Sequence, residues 1–269
     1  MNDLPVDFTK KRRQLFLGEE YYEEYVKMRG EELTNILSEP FEDYLLSSGE
    51  AQRWGAYSRR YFERMVMGYT AGEPIEPMRP MLEQVIEALE KQATAERAYH
   101  KDEGYTPIGG GGESYLKPLQ LIGLAYLLHR RDLLSRIAVL IDGLDGSRRG
   151  IDTTYERLLS FNDPSRKDPL TYINEDYMHL ENALYEGNSR EEALTDLNSY
   201  LKSWYKLHKG HLWHDSHLNP DNFFYFGYWS WEAAAVVYLL DLDDSSLRRY
   251  AYYPKDMIDW ARACQDTKD

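Results

Sequence analysis

Cysteine is nearly absent: Cys264 stands alone in 269 residues, so no disulfide can form within the chain. A reducing compartment is the simplest setting for such a chain. Long apolar runs are missing too, none approaching the roughly 20 residues that cross a bilayer. The opening stretch, MNDLPVDFTKKRRQLFLGEE, puts acids ahead of its basic cluster and has no apolar h-region. No secretory signal is expected, and the cytoplasm is the expected location. Three catalytic signatures are absent: HExxH, CxxC and GxSxG. Positive charge is also in short supply, with 32 Lys and Arg against 46 Asp and Glu and a formal net charge of -14. Such a surface repels nucleic acid and anionic membrane and attracts basic partners, although it also serves plain solubility.

What the chain has in plenty is aromatic side chains, 23 Tyr and 6 Trp, and helical periodicity. Tyrosine serves both helix packing and protein interfaces. Residues 8 to 37 read as helix, with Tyr22, Tyr25, Val26 and Leu33 as a packing stripe and an acidic run from Glu19 to Glu24 facing water. Pro40 and Ser47-Ser48-Gly49 mark a bend, and a helix resumes through Tyr57, Tyr61, Phe62 and Met65. Leu82, Val85, Ile86 and Leu89 fall at i, i+3, i+4, i+7 and predict a helix to about His100.

The run Gly109 to Gly112 invites a phosphate-loop reading, but Glu113 follows it with the wrong charge. A flexible connector fits better, with Ser114 capping a helix that carries Pro118 in its first turn. Asp132 is placed to cap the next helix, which has Leu134, Ile137, Ala138 and Ile141 on one face. Ile151, Tyr155, Leu158 and Leu159 repeat the pattern. Residues 161 to 177, FNDPSRKDPLTYINEDY, have two prolines and no period, so they read as a long loop. Asp163, Asp168, Glu175 and Asp176 lie there, where contact with a basic partner is most plausible if the acids are more than a solvated surface. Ser189 and Glu192 form a capping box for a helix burying Leu194, Leu197, Leu201 and Trp204.

His208, His211, His214 and His217 follow, with Asp215 and Asp221 nearby. Imidazole and carboxylate are what zinc and iron sites use. Spaced by three, however, the rings fan round a helix, whereas zinc helices place a pair at i, i+4. The expectation is a polar connection with no metal, no cofactor and no catalytic residue. A metal-assisted hydrolase built on His211, His214 and His217 stands as one rival reading, and a general helical scaffold as the other.

The segment 227–260, GYWSWEAAAVVYLLDLDDSSLRRYAYYPKDMIDW, organises the rest. Trp229, Trp231 and the run from Ala233 to Leu240 are apolar on every side, as a helix inside a bundle must be. Asp241, Asp243, Asp244, Ser245 and Ser246 offer acceptors where that helix ends, and Pro254 suits the first position of another. GYWSWEAAA at 227–235, LDDSS at 242–246 and YYP at 252–254, in that order and spacing, resemble the C-terminal region of PoNi proteins, bacterial immunity proteins encoded beside toxins with PoNe-type nuclease domains.

The resemblance implies that Tyr228, Trp229, Trp231, Glu232, Asp243, Asp244, Tyr252, Tyr253 and Pro254 are family-motif residues with a structural role. It also implies that the partner is a cognate nuclease toxin, neutralised by binding, with no catalysis by this chain. The expected fold is all-α, a helical N-terminal domain (residues 1–113) packed on a larger multi-helix C-terminal bundle (114–269) that carries the motifs.

Overall fold

The computed structural model describes residues 7–43, 47–110 and 113–266, and among these it is all-α, with eleven α-helices and no strand. None of the described helices is long and apolar enough to cross a membrane. Gly111 and Gly112, half of the expected glycine connector, lie outside the described residues. The chain forms two compact units. The first takes residues up to Ala95 together with Gly210–Tyr228, and the second takes Glu96–Lys209 and Trp229 onward. The first boundary between them along the chain falls inside a helix, between Ala95 and Glu96.

The first unit is built from α1 (Phe8–Lys11), α2 (Glu19–Ser38), α3 (Gly49–Thr70) and most of α4 (Met78–His100). Residues 8–37 are therefore not one helix. The chain breaks between Lys11 and Glu19 because its polar groups bond elsewhere. Arg13 sends Nη1 to the carbonyls of Tyr69 and Glu73 at 2.7 and 2.9 Å, tying this stretch to the C-terminal end of α3 and the turn beyond it. Gln14 is buried and holds Tyr228 from both sides, its Nε2 donating to the Tyr228 carbonyl and its Oε1 accepting the Tyr228 N–H at 3.0 Å. The α2 stripe is correspondingly narrower than expected, since Tyr25 and Arg29 are buried while Tyr22, Val26 and Leu33 are only half-buried. The periodic face of α4 behaves as predicted, with Leu82, Val85, Ile86 and Leu89 all buried.

The second unit contains α5 (Glu113–Leu127), α6 (Leu134–Asp142), α7 (Thr153–Ser160), α8 (Met178–Ala183), α9 (Arg190–Leu207), α10 (Trp231–Leu239) and α11 (Lys255–Asp266). Ser114 does not cap α5, and Pro118 is not in its first turn. The helix already includes Glu113, which makes Pro118 an interior residue. An interior proline leaves the carbonyl four residues back without its donor. Here that carbonyl, on Ser114, accepts the Gly109 N–H at 3.3 Å instead. Asp132 likewise caps nothing, being engaged with Arg130 within a short 3-10 turn ahead of α6. The actual cap in this part is Asp152, which accepts the Tyr155 N–H at 3.1 Å and starts α7.

α5 and α10 pack closely in the middle of this unit. Gly123 permits the approach, because a Cβ there would lie 2.8 Å from the Trp231 carbonyl oxygen, a backbone atom with little room to move. The residues Trp231–Val237 are all buried, so α10 is apolar on every side because every side is covered. It ends in a Schellman motif: Asp241 takes the left-handed conformation (φ 49°), the Leu242 N–H reaches the Val237 carbonyl at 3.0 Å, and the Asp241 N–H reaches that of Tyr238 at 3.3 Å.

Candidate partner-binding surface

The motif residues of the second unit, Asp243 apart, build a closed core. Trp229 and Trp231 are buried, and Tyr228 is buried in the first unit on the Gln14 clamp. Glu232 is completely enclosed. Its Oε1 accepts from the Trp204 indole (2.7 Å), the Tyr200 hydroxyl (2.9 Å) and the Ser230 hydroxyl (2.5 Å), while Oε2 has no hydrogen-bond partner among the described residues. Burial pushes its pKa up from the ordinary glutamate value, against the opposing pull of those donors.

Asp244 ties the following turn together. It accepts from the Tyr253 hydroxyl at 3.1 Å and pairs with Arg248 and Arg262, both at 3.1 Å. Asp243 is exposed and caps the same turn through the Ser245 N–H, with the Ser245 hydroxyl and amide holding its carboxyl below the usual range. Tyr252 stacks on Trp204 and Tyr205, and its carbonyl accepts the Ser230 N–H at 2.9 Å. Pro254 is buried one residue before α11, where its carbonyl accepts from Met257 and Ile258 and starts the helix. Of these second-unit groups Asp243 is exposed, and the others turn toward one another.

The loop 161–177 is long but firmly attached. Arg166 is buried between Asp142 and Glu156, with Glu156 at 2.8 Å. The Ile173 N–H bonds Asp152 at 2.9 Å, and the Thr153 N–H bonds the Thr171 carbonyl at 2.7 Å. The four acids differ within this frame. Asp163 is part-exposed, pairs with Arg149 at 3.2 Å, and is held below its ordinary pKa by the hydroxyl and amide of Ser165. Asp168 pairs with Arg157 (2.8 Å to Nε) and accepts from Thr153 and Leu170. Partial burial raises its pKa, but these donors outweigh it and the net shift is downward. Glu175 and Asp176 lie on a 3-10 turn, exposed and in no ion pair among the described residues. Leu170, Tyr172 and Met178 are exposed around them in sequence, so this stretch offers apolar and acidic groups together.

The histidines do not converge into a site. His208 is buried in the second unit, its Nδ1 bonded to the Trp204 carbonyl at 2.7 Å. A carbonyl can only accept, so Nδ1 carries the proton, and in the neutral ring Nε2 accepts from the Tyr177 hydroxyl at 2.9 Å. His211, His214 and His217 belong to the segment 210–228 of the first unit. There His217 lies against Phe16 and 2.8 Å from the Tyr228 hydroxyl, and desolvation lowers its pKa. His214 is 3.2 Å from Asp215. Among the described residues no three His, Cys, Asp or Glu side chains come together in a way that could hold a metal ion.

Several polar groups of the second unit escaped the sequence reading. Asp152 had a legible signal, an acid directly before the helical run TTYERLLS. Arg166 had none, because nothing in a polar loop distinguishes an arginine that turns inward from one that faces water.

No curated protein matches this chain. Among solved structures, the crystal structure of protein PA2201 from Pseudomonas aeruginosa is similar, with a TM-score of 0.70 and 16% identity over 94% of this chain and 92% of that one. At that identity the likeness shows the fold alone. Residues 150–257 match the model of the family described as PoNe immunity proteins (PoNi), C-terminal, which is the family indicated by GYWSWEAAA, LDDSS and YYP.

Proposed function

We propose that this chain is a cytoplasmic immunity protein that binds a cognate PoNe-type nuclease toxin and neutralises it by direct contact, without catalysis of its own. The observation that carries the reading is the family match over residues 150–257. Charge supports it independently. A nuclease must be basic where it holds phosphates, and a chain of net charge -14 complements such a surface. The contact is assigned to the C-terminal domain, residues 114–269, with Asp163, Asp168, Glu175 and Asp176 on the partner side. Asp163 and Asp168 already carry arginine partners, so they contribute less net field than Glu175 and Asp176.

The test mixes the nuclease domain encoded beside this chain's gene with the purified full chain and follows DNA and RNA cleavage. Stoichiometric loss of cleavage, with binding that weakens as salt rises, is the expected outcome. Cleavage unchanged at excess of this chain overturns the pairing with that toxin.

A further inference from the structure

One surface feature of the second unit borders both the acidic loop, at Phe161, and the LDDSS turn, at Leu242. A cleft of about 420 Å³ opens where the end of α7, the turn after α8, the start of α9 and the chain after α10 meet. Its floor is apolar, made by the buried Ala183, Leu184, Ala193 and Leu242. Phe161, Tyr185, Glu186 and Arg190 form the rim and are exposed.

Tyr185 is 53% exposed yet held in place on two sides. The Arg157 guanidinium sits 5.2 Å from its ring centroid. On the turn side the ring lies so close to Gly187 that a Cβ there would be 2.5 Å from Cε1. An aromatic side chain fixed before binding loses little entropy on binding, which is the property of an anchor.

The charges of the cleft indicate its occupant. Arg157 is paired with Asp168 at 2.8 Å and with Glu181 at 3.3 Å, and Arg190 lies 3.7 Å from Asp241. Both cations of the cleft therefore have carboxylate partners, while Glu186 is in no ion pair among the described residues. An apolar floor, two aromatic rims and a lone carboxylate suit a lysine or arginine whose stem lies on the floor and whose head meets Glu186 and a ring face.

We infer that this cleft is the primary docking point for the nuclease toxin and that it receives a basic side chain from the toxin's surface. The inference rests on the function proposed above, and the whole cleft lies inside the stretch 150–257 that matches the family.

The experiment measures affinity of the full chain for a catalytically inactivated form of the neighbouring nuclease domain. The variants are Tyr185→Ala, Glu186→Lys and Gly187→Ala, with Leu144→Ser as an exposed control elsewhere in the unit. Tyr185→Ala and Glu186→Lys should each weaken binding about tenfold or more, as anchor positions do. Gly187→Ala should weaken it although it removes no contacting group, because it displaces the ring. Leu144→Ser should bind as the unaltered chain does, and all four should melt within a few degrees of it.

Binding by the unaltered chain that Tyr185→Ala and Glu186→Lys leave intact overturns the docking point and spares the proposed function. Failure of the unaltered chain to bind overturns both. A self-associated chain that Tyr185→Ala disperses also overturns the docking point, since a second copy is then the occupant.

Discussion

In the core around α10, the buried carboxylates are surrounded: Glu232 by an indole and two hydroxyls, Asp244 by two arginines and a phenol. In the stretch 161–190 of the same unit, Glu175, Asp176 and Glu186 face water beside exposed Tyr172, Met178 and Tyr185. Residue types are similar in the two regions, and their surroundings are opposite. Enclosed polar groups are costly to disturb and specify one packing, whereas exposed ones can be changed freely unless something binds them. A family motif in the first region is therefore a record of how the chain folds. On the function proposed above, recognition falls to the second.

The largest effect that should separate the regions is truncation of a core aromatic. Trp231→Ala removes a fully buried indole and should cost about 3–5 kcal/mol of stability, read by urea denaturation followed with circular dichroism. Gly123→Val attacks the same packing from α5, because its Cβ meets the Trp231 backbone, and should lower the denaturation midpoint as severely. Phe161→Ala, in the exposed region, should stay within about 0.5 kcal/mol. A Trp231→Ala midpoint equal to that of Phe161→Ala would erase the distinction.

A middle-sized effect concerns pH. Because burial raises the Glu232 pKa in the folded chain, the folded state holds a proton that the unfolded state has released above the ordinary glutamate value, about 4.5. The stability contribution of that proton is complete below the unfolded value and is lost as pH rises through the folded one. Glu232→Gln keeps an acceptor at the Oε1 position for Tyr200, Trp204 and Ser230 and cannot ionise. The melting temperature of the unaltered chain should therefore fall relative to Glu232→Gln as pH rises, and the two should converge in acid. Parallel pH profiles would mean that Glu232 is not held protonated by its enclosure.

The same contrast explains what could be read from residues alone. The all-α class and α10 were legible because a run such as WEAAAVVYL has no polar side, and the capping box at Ser189 and Glu192 was legible because it is a local, reciprocal bond. Pro118 misled because proline marks helix starts on average, and the Gly109 donor that rescues the Ser114 carbonyl comes from a turn whose path no local pattern encodes. Residues 8–37 misled because Arg13 and Gln14 give up helix for partners at Tyr69 and Tyr228, far along the chain. The acidic loop was visible as a loop. Its division into paired acids at 163 and 168 and unpaired ones at 175 and 176 was not, because Arg149 and Arg157 reach Asp163 and Asp168 only once the chain has folded.

The smallest effect sharpens the exposed side alone. Glu175→Lys combined with Asp176→Lys reverses two charges that are in no ion pair among the described residues, so the melting temperature should not move. Toxin association is a different matter. Like-charged residues on a surface that meets a basic partner slow diffusional encounter and leave the docked contacts untouched. The double variant should associate with the nuclease domain roughly three- to tenfold more slowly at low salt, with an unchanged dissociation rate. Above about 0.5 M salt, where the screening length is only a few ångströms, its association rate should merge with that of the unaltered chain. A loss that persists at high salt, or that appears in the dissociation rate, would put these two acids inside the contact and make them anchors rather than guides.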